Sequence, residues 1–113
     1  MSRNKLAYIE LPTTNTDKMR AFYGSLFGWS FQDWGPDYTA FSESGVDGGF
    51  NAGDEHRTKA PLLIIETDDI QAMEERVQQT GGTITLSTFK FPGGSRFHFT
   101  DPSGNELAVM QVE

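Results

Sequence analysis

The sequence predicts an α+β domain built from two copies of one βαβββ unit around a small-molecule pocket. The 113 residues suit a single domain spanning 1–113. Strand-like alternation and two amphipathic helical stretches recur in the same order in both halves. Corresponding positions of strand, helix cap, helix and helix stop are each 54 residues apart, which indicates an internal duplication. These pairs are Ile9 and Leu63, Asn15 and Asp69, Met19 and Met73, and Gly28 and Gly82.

The first module is predicted to span residues 5–52. It opens with a strand over Leu6–Leu11, followed by Asn15 as the N-cap of a helix that stops at Gly28. Apolar side chains recur along this helix at i, i+3, i+4 and i+7, and we assign its aromatic residues Phe22, Tyr23 and Phe27 to the core. Three short strands, separated by glycine-containing turns, complete the module. They are Trp29–Asp33, Tyr38–Ser42 and Asp47–Asn51.

A polar linker over residues 53–60 precedes the second module, residues 61–112. The pattern repeats here with a strand over Pro61–Glu66, a helix capped by Asp69, and a stop at Gly81-Gly82. Each helix is expected to cover one face of its sheet, which leaves the opposite faces to enclose a cleft. The remaining strands are predicted at Thr83–Thr88, Arg96–Thr100 and Glu106–Val112.

Composition excludes several classes of function. Sixteen acidic and nine basic residues give a net charge of −7, and no basic patch interleaves with aromatics, so nucleic acid is not an expected partner. The absence of cysteine excludes a disulfide framework and a thiol nucleophile. No apolar run approaches the roughly 20 residues of a membrane span, and the first residues are unlike a signal peptide. We therefore expect no membrane partner and a cytoplasmic location.

Two motifs carry a resemblance to a known family. They are Phe22-Tyr23-x-x-Leu26-Phe27-Gly28-Trp29 and Asp101-Pro-Ser-Gly-Asn105, and they occur with Gly81-Gly82 and the repeated module. Together they resemble the vicinal oxygen chelate superfamily, which holds glyoxalase I, extradiol dioxygenases, fosfomycin-resistance enzymes and bleomycin-resistance proteins. The resemblance covers essentially the whole chain. It implies this fold and a homodimer, but it leaves the chemistry open because the fold hosts several reactions.

The resemblance also implies where a metal would bind. Metal-using members hold a divalent ion with His and Glu side chains, and the ion binds two neighbouring substrate oxygens. By motif register, the ligand positions fall on Tyr8, Leu62, Ala108 and the segment 49–52. Leucine and alanine cannot coordinate a metal, and a neutral phenol is a poor ligand for most divalent ions. We therefore predict no metal and no other cofactor.

Strand alternation predicts which residues face the ligand. If Ile9, Leu63, Ile65, Leu107 and Val109 pack under the helices, the neighbouring positions point into the cleft. On the strand with Phe97 and Phe99, the opposite face carries Arg96 and His98 and meets either pocket or solvent. Phe50 is a further candidate for the pocket wall, as are Trp29 and Trp34. The predicted ligand-binding set is Tyr8, Glu10, Phe50, Leu62, Ile64, Glu66, Arg96, His98, Ala108 and Met110.

Glu10 is the candidate with the clearest chemical rationale. A carboxylate on a half-buried strand is costly unless it is paired, so we expect it to act as a general base, to anchor a cationic ligand, or to pair with Arg96 or another local donor. The leading hypothesis is metal-independent binding of a small apolar or aromatic molecule, as in a sequestering or resistance protein. The competing hypothesis is a lyase, isomerase or dioxygenase-like enzyme that uses Glu10 as base or a rearranged metal site with His98 and Glu66. A third hypothesis, a protein-interaction module, requires an exposed apolar patch that the sequence does not clearly provide.

Overall fold

The computed structural model describes residues 4–113, and it confirms the α+β class and the order βαβββ in each half. No helix in this part of the chain is long and apolar enough to cross a membrane. The elements of the first half are β1 (Lys5–Pro12), α1 (Thr16–Phe27), β2 (Ser30–Asp33), β3 (Tyr38–Ser42) and β4 (Gly48–Asn51). Those of the second half are β5 (Leu62–Glu66), α2 (Ile70–Gln79), β6 (Thr83–Phe91), β7 (Gly94–Thr100) and β8 (Glu106–Val112).

The chain forms two compact units. One unit is Tyr8–Leu62, and the other is Leu63–Glu113 together with the start of β1 up to Ala7. The first half has the strand order β2-β3-β4-β1, and the second has the order β5-β8-β7-β6. In each half the first and last strands pair in parallel, β1 with β4 and β5 with β8, whereas β2–β3, β3–β4, β6–β7 and β7–β8 are antiparallel.

Both predicted helix starts are confirmed by capping hydrogen bonds. The side chain of Asn15 accepts a hydrogen bond from Lys18 N at 3.0 Å, and Asp69 accepts one from Ala72 N at 3.1 Å. The predicted stop at Gly28 is also confirmed, because this residue adopts the left-handed conformation with φ of 76°. Short polar side chains therefore begin each helix at the predicted position.

The core of the first unit is an aromatic cluster beneath α1. Tyr23 stacks on Trp29 with ring centroids 5.1 Å apart and reaches Phe50 at 5.2 Å. The assignment of Phe22 and Phe27 to the core is wrong, because they are 57% and 59% exposed. Consecutive helix positions point about 100° apart, so the face that presents Tyr23 to the sheet turns Phe22 away.

The core of the second unit is aliphatic and aromatic and lies between α2 and the sheet. Phe97 and Val109 are almost completely buried there, and Phe99 packs against them, which confirms the predicted helix-side face of β7. Leu63, by contrast, is 38% exposed and is not part of this cluster. The members of the cluster are Ile70, Phe97 and Val109, with Ile65, Met73, Val77, Ile84 and Phe99 packed around them.

The strands β6 and β7 are longer than predicted. The sequence predicts that one strand ends at Thr88 and the next begins at Arg96, but β6 extends to Phe91 and β7 starts at Gly94. Only Pro92 and Gly93 remain between the strands, and Gly93 has φ of 100°. Proline followed by a glycine with positive φ makes a tight turn, so the strands continue pairing up to the turn.

Candidate functional site

Glu10 lies on the face of β1 that points away from α1. Its neighbour in β4 is Gly49, whereas the next pair along, Leu11 and Phe50, brings Phe50 under α1. Because side chains alternate along a strand, Glu10 and Tyr8 share the face opposite the helix. Glu10 is only 4% exposed, so a carboxylate is buried at this position, as the sequence predicts for a paired group.

Two side chains from neighbouring strands hold the carboxylate. The hydroxyl of Tyr38, at the start of β3, donates to Glu10 Oε2 at 3.0 Å. The amide of Asn51, at the end of β4, donates to Glu10 Oε1 at 3.3 Å. The hydroxyls of Tyr8 and Tyr38 are 2.8 Å apart. Four residues from three strands therefore form one hydrogen-bonded network, which we call the Glu10 network.

The direction of the hydrogen bonds in this network follows from proton counting. A phenol has one proton, and that of Tyr38 is committed to Glu10, so Tyr8 is the donor in the Tyr8–Tyr38 hydrogen bond. Burial, and secondly the negative charge of Glu10, raise the pKa of Tyr38 far above its ordinary value, so this phenol stays protonated. The Tyr38 proton thus stabilises the charge of the carboxylate directly, and Tyr8 supports it by donating to the Tyr38 oxygen.

Gly49 creates the space that Tyr38 occupies. A Cβ atom on Gly49 would lie 2.5 Å from the Tyr38 hydroxyl and 2.6 Å from the nearest ring carbon. The phenol ring therefore lies directly over the glycine that pairs with Glu10, and this contact brings the hydroxyl within reach of the carboxylate. No larger residue fits at position 49 without displacing the ring.

The three aromatic candidates for the pocket wall have different positions. Phe50 is completely buried and contacts Tyr23 and Phe41, so its prediction as a ligand-binding residue is corrected to a core position on the helix side of the sheet. Trp29 is likewise stacked in that cluster, 4.9 Å from Phe41. Trp34, at the tip of the β2–β3 hairpin, is 58% exposed.

In the second unit, predicted site residues form two rows across the sheet. Ile64, Ala108 and His98 are consecutive neighbours on β5, β8 and β7, and all three are at most 1% exposed. Leu62, at the start of β5 and the last residue of the first unit, is also completely buried. The second row consists of Glu66, Met110 and Arg96.

His98 and Arg96 have defined surroundings on β7. The Nδ1 atom of His98 is 3.0 Å from Oε2 of Glu106, and an ionised carboxylate requires Nδ1 to donate this hydrogen bond. The guanidinium carbon of Arg96 lies 5.5 Å from the centroid of the Phe89 ring, a cation–π distance. The sequence left open whether His98 faces a pocket or solvent. In the structure its side chain is completely buried.

The donor set does not fit the divalent ion that the family resemblance implies. Leu62 and Ala108 present only carbon, and the hydroxyl of Tyr8 is engaged with Tyr38. Across residues 4–113, no group of three or more His, Cys, Asp or Glu side chains is arranged to hold a metal ion. The chemistry of these residues is that of a hydrogen-bonding and apolar site.

A separate depression of about 490 Å³ lies beside the linker in the first unit. Arg57 donates from Nη1 to the carbonyl of Ala52 at 3.0 Å and to that of Thr13 at 3.4 Å, so its guanidinium ties the linker to the ends of β1 and β4. We assign Arg57 a structural role. The depression is lined by Pro12, Thr13, Thr14, Arg57, Thr58 and Lys59.

The sequence did not indicate Tyr38 or Glu106 as site residues, and it included Gly49 and Asn51 only within the segment 49–52 without a role for either side chain. The contacts of Tyr38 and Asn51 depend on β4 lying between β1 and β3, a neighbour relation that strand periodicity does not encode. A signal was available for Glu106, because it directly follows the Asp101–Asn105 turn and shares the alternating face of Ala108.

Comparison with known proteins assigns the sequence to a family. A family model described as "Glyoxalase/Bleomycin resistance protein/Dioxygenase superfamily" matches residues 5–109. "Putative glyoxylase CFP32" of Mycobacterium bovis is 26% identical over 93% of this chain and 44% of its own length, so the chain spans less than half of that relative.

The two solved structures compared next are among those that share the fold. A member of the same superfamily from Vibrio splendidus matches with a TM-score of 0.70 and 17% identity, over 95% of this chain and 97% of its own. The Mn(II)-bound glyoxalase of Novosphingobium aromaticivorans matches with a TM-score of 0.68 and 18% identity, over 98% of this chain and 40% of its own. At these identities the likeness supports the fold alone.

Proposed function

We propose that this chain, which belongs to the glyoxalase/bleomycin resistance protein/dioxygenase superfamily, binds a small apolar or aromatic molecule without a chelated metal ion. The observation that carries the proposal is the state of Tyr8. The family resemblance places a metal ligand at this position, but here the side chain is a phenol hydrogen-bonded to Tyr38, which in turn donates to Glu10. A hydrogen-bond network therefore takes the place of a coordination sphere.

The fixed polar groups of the network suit a binding site. Small-molecule sites combine apolar surface with a few fixed polar groups that orient the ligand. The Glu10 network supplies such groups, and its geometry is set by three paired strands rather than by loops. We infer a sequestering role, in which the ligand is held and released unchanged, by analogy with bleomycin-resistance proteins.

Metal content is the direct test of this proposal. Purified protein, and protein incubated with nickel, manganese, iron or zinc, is desalted and assayed by elemental mass spectrometry. We expect substoichiometric metal in every sample, with the metal-bound glyoxalase of Novosphingobium aromaticivorans as the positive control. One tightly held ion per chain would contradict the proposal and direct attention to a rearranged site with Glu10 and His98.

A second candidate is an enzyme that uses Glu10 as general base. The burial of this carboxylate favours it, because functional carboxylates are often withdrawn from water. Against it, both carboxylate oxygens already accept hydrogen bonds from Tyr38 and Asn51. Turnover of any carbonyl, epoxide or catechol compound that is lost in Glu10→Gln would establish the enzyme and refute sequestration. A ligand that binds wild type and Glu10→Gln with only a shifted affinity, and is not consumed, supports binding.

A homodimer and a cytoplasmic location remain predictions from the sequence. An exposed apolar surface exists on α1, where Phe22, Leu26 and Phe27 are each 57% to 59% exposed. The sequence did not indicate this surface, because Phe22 and Phe27 were assigned to the core and Leu26 belongs to the apolar stripe of the helix. We propose it as the part of the first unit that a second copy would cover, which sedimentation of Leu26→Glu against wild type would test.

A further inference from the structure

The β2–β3 hairpin presents Trp34 beside the Glu10 network. Trp34 follows β2, and its backbone N–H donates to the carbonyl of Tyr38 at 2.9 Å, one step beyond the last strand pair, Asp33 and Thr39. Residues opposite one another in an antiparallel pair have Cβ atoms roughly 5 Å apart. Trp34 is therefore the cross-strand neighbour of Tyr38, whose hydroxyl holds Glu10.

Alternation along β2 gives the face on which the Trp34 side chain lies. The ring of Phe31 is 6.4 Å from that of Phe50 on the helix side, and the carboxylate of Asp33 accepts a hydrogen bond from Arg20 of α1 at 2.8 Å. Phe31 and Asp33 thus face the helix, so the position after Asp33 faces away from it. Trp34 and the Glu10 network share one face of this sheet.

Exposure of this indole is not explained by the fold. Trp34 is 58% exposed, whereas the other tryptophan, Trp29, is stacked between Tyr23 and Phe41 at centroid distances of 5.1 and 4.9 Å. A large aromatic side chain in water forgoes the burial that stabilises a small domain. Beside a buried polar network, an exposed indole has the properties of a stacking surface for a ligand ring.

We propose that Trp34 is the aromatic platform of the binding site and that it selects planar aromatic ligands over saturated ones of the same size. This inference rests on the proposed function and adds the ligand class. The ring of the ligand stacks on the exposed indole face, while its polar group meets the Glu10 network across the strand pair. Offset stacking adds about 0.5–1.5 kcal/mol beyond area burial, which corresponds to roughly a two- to tenfold gain in affinity.

The test uses matched fragments. Benzylamine and cyclohexylmethylamine, benzamide and cyclohexanecarboxamide, and benzoate and cyclohexanecarboxylate are titrated against the full chain by protein-observed NMR. We expect at least one aromatic fragment to bind several-fold more tightly than its saturated partner. Trp34→Ala should abolish that preference, and Trp34→Phe, which keeps an aromatic ring, should retain most of it. Trp34 is exposed, so both variants should keep the wild-type fold and unfolding midpoint.

The outcomes separate the platform from the proposed function. Equal affinity of the aromatic and saturated partners, or an unchanged preference in Trp34→Ala, would overturn the platform and leave metal-independent binding standing. Failure of every fragment to bind wild type at millimolar concentration would overturn both. As a second readout, an aromatic fragment should quench or blue-shift the tryptophan emission of wild type but not that of Trp34→Phe, in which the one remaining tryptophan, Trp29, is packed between Tyr23 and Phe41.

Discussion

Replacement of Gly49 by alanine should break the Glu10 network although none of the four residues that form it is mutated. The added Cβ would meet the Tyr38 hydroxyl at 2.5 Å and two ring carbons at 2.6 and 2.7 Å, so the phenol must leave its place. Two hydrogen bonds are lost, one to a carboxylate, worth about 1.5–3 kcal/mol, and one between neutral hydroxyls, worth about 0.5–1.5 kcal/mol. We expect the free energy of unfolding to fall by about 2–4 kcal/mol.

Urea unfolding followed by circular dichroism measures this loss. Gly24→Ala is the matched control, because its Cβ would meet Phe31 at an ordinary 3.6 Å and a glycine-to-alanine change inside α1 should stabilise the helix by roughly 0.5–1 kcal/mol. Because the new Cβ clashes with Tyr38, Gly49→Ala should lower the free energy of unfolding far less in a Tyr38→Ala background. A cost below about 0.5 kcal/mol in wild type, or the same cost in both backgrounds, would refute the reasoning.

Three further predictions concern a raised pKa, a lowered pKa and a helix start. Because folding raises the pKa of Tyr38, the contribution of this phenol to the free energy of unfolding is complete below pH 10 and declines above it. In urea titrations, wild type should therefore lose about 1 kcal/mol more free energy of unfolding than Tyr38→Phe between pH 10 and 11. Equal losses would contradict the burial of the phenol. Hydrogen bonds, first from the Asn105 side chain and then from its backbone, lower the pKa of Asp101, so Asn105→Ala should raise that pKa toward its ordinary value in a carboxyl NMR titration. An unchanged titration midpoint would show that the backbone donors suffice. The side chain of Gln111 accepts a hydrogen bond from Ile70 N at 2.9 Å and donates one to the carbonyl of Asp68 at 2.8 Å. In chemical unfolding, Gln111→Ala should therefore lower the free energy of unfolding by about 1–3 kcal/mol. Replacement of the exposed Gln78 by alanine is the control and should lower it by less than about 0.5 kcal/mol.

Local rules predicted the elements of this fold and failed where distant segments meet. Capping chemistry identified Asn15 and Asp69, because an N-cap needs only a short polar side chain next to its own helix. Alternation likewise put Tyr8 and Glu10 on one face. Phe50, a separate candidate for the pocket wall, lies instead on the helix side of the sheet, because the sequence does not fix the register of β4 against β1.

The sequence predicted the buried carboxylate of the candidate site but not the side chains that donate hydrogen bonds to it. The sequence indicated that the Glu10 carboxylate needs a partner, which was expected to be Arg96 or another local donor. The observed partners within the first unit, Tyr38 and Asn51, lie 28 and 41 residues further along the chain, on strands whose neighbours depend on topology. Burial of a charge is thus a local signal, whereas the identity of its hydrogen-bond donors is a tertiary property.

The parallel pairing of β1 with β4 has a consequence for the order in which the chain folds. Ile9 pairs with Gly48, 39 positions later, whereas Phe91 and Gly94 close the β6–β7 turn across three. Local hairpins form within microseconds, whereas two parallel strands that are far apart in sequence pair only after a long loop has closed, which costs conformational entropy. Glu10 gains its donors only when β1, β3 and β4 are together. We therefore expect the carboxylate to stay hydrated until a late step of folding, so that its desolvation adds to the barrier to forming the native state.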